Sequence, residues 1–121
     1  MGYESRVIIT NVHRYEKTER FEAHVYAEKI VDMKMSCMEA GFKNLFQTEI
    51  DYRLFIDNGD DDTCTDCYGE HIKSASIPEV MTWLEEAMKR DSYRRLAPLY
   101  GLLSGFNPEQ WDCLEVVHYG Y

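Results

Sequence analysis

Residues 57–71 read DNGDDDTCTDCYGEH, with five aspartates, a Cys-x-x-Cys pair and a histidine in fifteen residues. Before this stretch the apolar residues tend to alternate as in β-strands, and after it they recur at helical spacing. A chain that changes period once, across an exposed polar connection, is expected to be an α+β domain with strands gathered in one half and helices in the other.

Working back from this connection, residues 49–57 (EIDYRLFID) place Ile50, Tyr52, Leu54 and Ile56 on one face of a strand. Residues 36–46 predict one or two irregular helical turns, with Cys37, Ala40, Phe42, Leu45 and Phe46 as the apolar face and Gly41 weakening them. Further upstream, Phe21, Ala23, Val25 and Ala27 alternate with Glu22, His24, Tyr26 and Glu28. Ile30 directly after Lys29 breaks that alternation, which predicts a bulge near residues 28–30 before Val31, Met33 and Met35 resume it. Residues 5–15 (SRVIITNVHRY) form a β-branched, aromatic run that predicts the first strand, and EKTER at 16–20 fits a hairpin loop. Short local connections make an antiparallel meander the economical arrangement of these three strands.

Downstream, Ser76-Ile77-Pro78-Glu79 combines an N-cap serine, an early proline and a capping-box glutamate, and Ile77, Val80, Met81, Leu84, Ala87 and Met88 follow at helical spacing. A second helix is expected after Asp91 or Ser92, carrying Tyr93, Leu96, Ala97, Tyr100 and Leu103, kinked at Pro98 and ended by Gly105. Asn107-Pro108-Glu109-Gln110 repeats the capping pattern for a single turn, and Leu114, Val116, Val117 and Tyr119 predict a closing strand. The expectation is one domain, 1–121, with an antiparallel sheet of about four strands and the two helices of residues 76–106 packed on one face.

Twenty-two acidic and thirteen basic side chains give the 121-residue chain a formal charge of −9, which argues against direct binding to nucleic-acid phosphates. No apolar run approaches the roughly 20 residues of a membrane span, and MGYESRVIIT is not a secretory leader, so a cytoplasmic protein without membrane association is expected. In that setting the four cysteines are read as thiols or metal ligands and not as disulfides.

Cys64, Cys67 and His71 have spacing suited to zinc, with a fourth ligand to come from Cys37, Cys113 or His118, so a zinc-stabilised interaction domain is one reading. The aspartates at 57, 60, 61, 62 and 66 lack the order of a calcium-binding loop. Cys67 with His71 as a nucleophile pair, or Cys64 with Cys67 as a redox pair, lacks an adjacent helix N-terminus to activate the thiol. His13 and His24 are placed to meet across the first hairpin, depending on register. No glycine-rich phosphate loop, nucleophile elbow or metalloprotease helix is present, and no enzyme is expected. A second reading is a small-ligand module that binds or sequesters nucleotides, with Lys89, Arg90, Arg94 and Arg95 as phosphate contacts and a homo-oligomeric assembly.

The favoured expectation is a small acidic, non-enzymatic binding protein. Asp60, Asp61, Asp62 and Asp66, with Tyr68, Trp83, Tyr119 and Tyr121, would form a surface for a protein partner with a basic face. Its most concrete form is an inhibitor from a phage or mobile element, acting on a host defence or nucleic-acid-handling protein.

Overall fold

The β-branched run near the N-terminus becomes an inner strand of the sheet. In a computed structural model, which describes residues 5–35, 40–54, 63–66, 68–90 and 95–120, strand β1 (Ser5–Tyr15) pairs antiparallel with β2 (His24–Met35) on one side. On its other side it pairs antiparallel with β5 (Leu114–Gly120). Two short strands, β3 (Thr48–Glu49) and β4 (Lys73–Ala75), complete a five-stranded antiparallel sheet in the order β2-β1-β5-β4-β3. The fold is α+β.

Alternation along β1 divides its side chains between two cores. Val7 and Ile9 join a cluster with Phe42, Phe46, Ile77, Val80, Leu84, Leu99, Leu103 and Val116. Ile8 and Val12 join Ile50, Tyr52, Leu54, Ile72 and Val117 on the opposite face. Burial of each such aliphatic side chain contributes about 1.5–3 kcal/mol, so both faces matter to stability.

The first face is covered by helices α1 (Ala40–Asn44), α2 (Ile77–Met88) and α3 (Ala97–Ser104). Helix α2 begins where its capping signal predicts: Ser76 Oγ accepts from the Glu79 backbone N–H at 3.3 Å and donates to Glu79 Oε1 at 2.9 Å. Pro98 does not kink α3. It lies in the first turn, where its missing N–H is not needed, so it starts the helix. Asn107 Oδ1 accepts from the Glu109 N–H and caps a 3-10 helix, Pro108–Cys113, that leads directly into β5. Among the described residues no helix is long and apolar enough to cross a membrane.

Three strand expectations need correction. The third strand does not continue a meander against β2. α1, anchored by the buried rings of Phe42 and Phe46, carries the chain across the helix face, and β3 pairs with β4 at the far edge. Residues 50–54 are not a regular strand, although Ile50, Tyr52 and Leu54 are all buried; their alternation reports a face pressed on the second core and not a ladder partner. The sheet has five strands, because Lys73–Ala75, which has no strand signal of its own, pairs with β5. The predicted bulge is present: Ile9 pairs with Val31 and Thr10 with Lys29, leaving Ile30 unpaired.

A polar chain pins the 50–54 segment to the second face. Tyr52 Oη donates to Glu115 Oε1 at 2.8 Å and lies 3.1 Å from Thr10 Oγ1, while Arg14 bridges Asp51 and Glu115 at 2.9 and 3.1 Å. Burial, together with the Glu115 carboxylate, pushes the Tyr52 hydroxyl well above the ordinary tyrosine range. Ile8→Ala and Ile9→Ala are each expected to cost about 2–5 kcal/mol in urea denaturation. An Ile8→Ala cost below about 1 kcal/mol would mean that the second face is not a packed core.

Candidate functional site

Asn11 is the last β1 residue paired with β5; from Val12 to Tyr15 the strand is paired with β2 alone and extends past the five-stranded sheet as a two-stranded ribbon. On the face that β1 shares with Val7 and Ile9, but beyond them, lie two aromatic cross-strand pairs. His13 stacks on Tyr26 with ring centroids 5.2 Å apart and a 22° interplanar angle, and Tyr15 stacks on His24 at 4.6 Å and 19°. The two histidines therefore do not face each other; the register gives each a tyrosine partner.

At the ribbon's tip Thr18 organises the turn. Its N–H donates to the Phe21 carbonyl at 2.8 Å, and its Oγ1 accepts from the N–H groups of Arg20 and Phe21. The Phe21 side chain is left in solvent, 67% exposed. Tyr15 is 50% exposed, Tyr26 53% and the bulge residue Ile30 45%, so four of the five large exposed hydrophobics among the described residues sit on this one hairpin. Residues 13–30 carry Arg14, Lys17, Arg20 and Lys29 against Glu16, Glu19, Glu22 and Glu28, so the hairpin is formally neutral on a chain of charge −9.

A second feature is a cleft of about 370 Å³ between α1, the start of β4 and the turn at residues 66–70. The turn is set by Asp66, whose Oδ1 accepts from the N–H groups of Tyr68 and Glu70 at 2.8 and 3.0 Å, with Gly69 at φ 80°, a conformation that favours glycine. Lys43 Nζ on α1 reaches across to Glu70 at 3.1 Å. His118 lines the cleft, only 6% exposed, with Nε2 bonded to Ser5 Oγ at 2.8 Å and its ring against Phe42 and Phe46. Burial, aided by the Lys43 charge and opposed by Asp66 and Glu70, pulls the His118 pKa down to about 4, so the ring is neutral at pH 7.

The residues singled out from the sequence are dispersed. Asp60, Asp61, Asp62, Cys67, Arg94 and Tyr121 lie outside the described residues. Asp66 and exposed Tyr68 share the turn beside the cleft. Trp83 leans on Phe42 with centroids 5.2 Å apart on the helix side, whereas Tyr119 packs with the second core beneath the Arg6 guanidinium, so these two aromatics lie on opposite faces of the sheet. Lys89 and Arg90 both turn to Glu86, one to its carboxylate and one to its carbonyl. Thr65 pairs with His71, which puts those two side chains on one face of their small hairpin and Cys64, one residue earlier, on the other. His71 Nε2 donates to the Ile50 carbonyl at 2.9 Å. Among the described residues no three His, Cys, Asp or Glu side chains converge as a metal-ligand set.

The aromatic ribbon was missed from sequence because the alternation of residues 21–28 marks only which side chains share a face. Its recoverable signal was the pair of tyrosines and pair of histidines placed among charged residues, where a solvent face is normally polar. The cleft draws on four separate stretches, and no local pattern joins them. No protein-family model matches the chain, and no curated protein or solved structure matches it significantly.

The low His118 pKa makes stability depend on pH. The unfolded histidine takes up a proton near pH 6.5 and the folded one near 4, so stability is full above pH 6.5 and declines as the pH falls between those values. The contribution from this residue is about 3 kcal/mol across the window. Urea midpoints of wild type and His118→Gln at pH 7 and pH 4.5 test this: the wild type should lose more stability on acidification than the variant, and equal losses would reject the assignment.

Proposed function

We propose that this chain is a non-enzymatic protein-binding module that docks through the β1–β2 hairpin onto a partner with a basic surface. The observation that carries the reading is the concentration of exposed Tyr15, Phe21 and Tyr26 on the part of the hairpin that extends past the sheet, with exposed Ile30 further along the same edge strand. Aromatic side chains supply large contact area at low entropic cost and dominate interface hot spots. The charges of the hairpin cancel, so it does not repel a basic partner, while the acidic remainder of the molecule attracts one over longer range.

The edge position of β2 is not itself the adhesive element. The bulge at Ile30 and the charges of Lys29, Asp32 and Lys34 interrupt it in the way that native edge strands resist strand addition. The side-chain face of the ribbon is the better candidate. Inhibition by covering a basic, nucleic-acid-handling surface is the form of activity that fits this charge distribution.

The test is the triple variant Tyr15→Ser, Phe21→Ser, Tyr26→Ser, used as bait beside the wild type. It should remain folded with a cooperative melt, its melting temperature lowered only by the loss of the two His–Tyr stacks. Its affinity for the protein retained by wild type should fall by about 30-fold or more. That wild-type complex should also weaken as ionic strength rises. Undiminished capture by the folded triple variant would remove the hairpin from the interface.

A further inference from the structure

The cleft beside His118 holds one cation and one carboxylate that the fold does not pair. Lys43 is engaged by Glu70 at 3.1 Å. Lys73, across from His118 on β5 and from Glu49 on β3, lines the same cleft and makes no salt bridge within 4 Å among the described residues. Asp66 uses Oδ1 to hold its turn, and Oδ2 accepts no hydrogen bond among the described residues. Phe46 and the neutral ring of His118 give the cleft an aromatic wall.

We propose that this cleft is a binding site for a small zwitterion of the α-amino-acid class, with Lys73 taking the carboxylate and Asp66 the ammonium. Its volume of about 370 Å³ lies near the lower end of small-molecule sites, suited to a compact ligand. Charge balance selects the class. Among the described lining residues Lys43 and Lys73 are matched by Asp66 and Glu70, so a phosphate-rich ligand would meet two carboxylates and a polycation two ammonium groups. A ligand carrying one charge of each sign meets the two groups left without partners, and the aromatic wall accepts its side chain. This site is separate from the hairpin and does not depend on the docking proposal.

The experiment is isothermal titration calorimetry of the full chain with L-alanine, L-leucine, L-glutamine and L-phenylalanine, with acetate, methylammonium and inorganic phosphate as controls. At least one amino acid should bind at one site per chain and exceed acetate and methylammonium. Lys73→Met, which keeps the aliphatic stem, and Asp66→Asn, which keeps an oxygen to hold the turn, should each weaken it about tenfold or more. Circular dichroism melting of both variants establishes that they are folded. No amino-acid binding, tighter binding of phosphate, or binding unchanged in both folded variants would overturn the proposal.

Discussion

The antiparallel pairing of β1 with β5 is the constraint on which the rest of the molecule depends. Val7, Ile8, Ile9, Val116 and Val117 are fully buried, and they project to both sides of the sheet. Neither strand can therefore be left with an open face. α1, α2 and α3 close one side, and the irregular segments around Ile50, Tyr52, Leu54 and Ile72 close the other. β2, with charged residues throughout its second half and an unpaired Ile30, is suited only to an edge.

That division explains where exposed apolar surface is left. β5 is only seven residues long, so the end of β1 and the start of β2 outrun it; Val12, Val25 and Ala27 still pack on the second core, but the His13, Tyr15, His24 and Tyr26 side chains on the opposite face have no layer over them. The His–Tyr stacks occupy this end, and cross-strand aromatic pairs of this kind stabilise a hairpin locally without a core beneath it. The opposite end of β1 is handled differently. There Arg6 forks onto Asp32, and although burial raises the Asp32 pKa, the bonds from Arg6 and Lys29 outweigh it and hold the carboxyl below its ordinary range. Polar groups inside the sheet are satisfied in turn by neighbours: Thr10 by Tyr52 and the Glu115 carbonyl, and His118 by Ser5.

Local chemistry was legible in the sequence wherever a few adjacent residues decide the outcome. The Ser76 cap, the Asn107 turn, the bulge at Ile30 and the closing strand all follow from spacing within a handful of positions. Alternation at residues 50–54 gave the buried face correctly but not the pairing, because period two measures which side chains share a face and carries no information about the neighbouring backbone. The three residues of β4 become a strand only because β5 offers them a ladder, and the strand order depends on α1 crossing the helix face. The candidate sites divide in the same way. The hairpin residues lie close in sequence, and only their exposure was hidden; Lys43, Asp66, Lys73 and His118 come together solely through tertiary structure.

Residue-resolved hydrogen–deuterium exchange of the full chain tests the two-faced sheet most directly. Amides of residues 7–10 and 115–118 that bond within the sheet should exchange only through global unfolding, and the Ile50 and Leu54 amides, bonded to the Ile72 and Thr63 carbonyls, should be strongly protected as well. The loop amides at residues 16–20 should exchange orders of magnitude faster. Rapid exchange at Ile50 and Leu54 alongside a protected β1 would contradict the account, since it would leave the second face of the central strands without its cover.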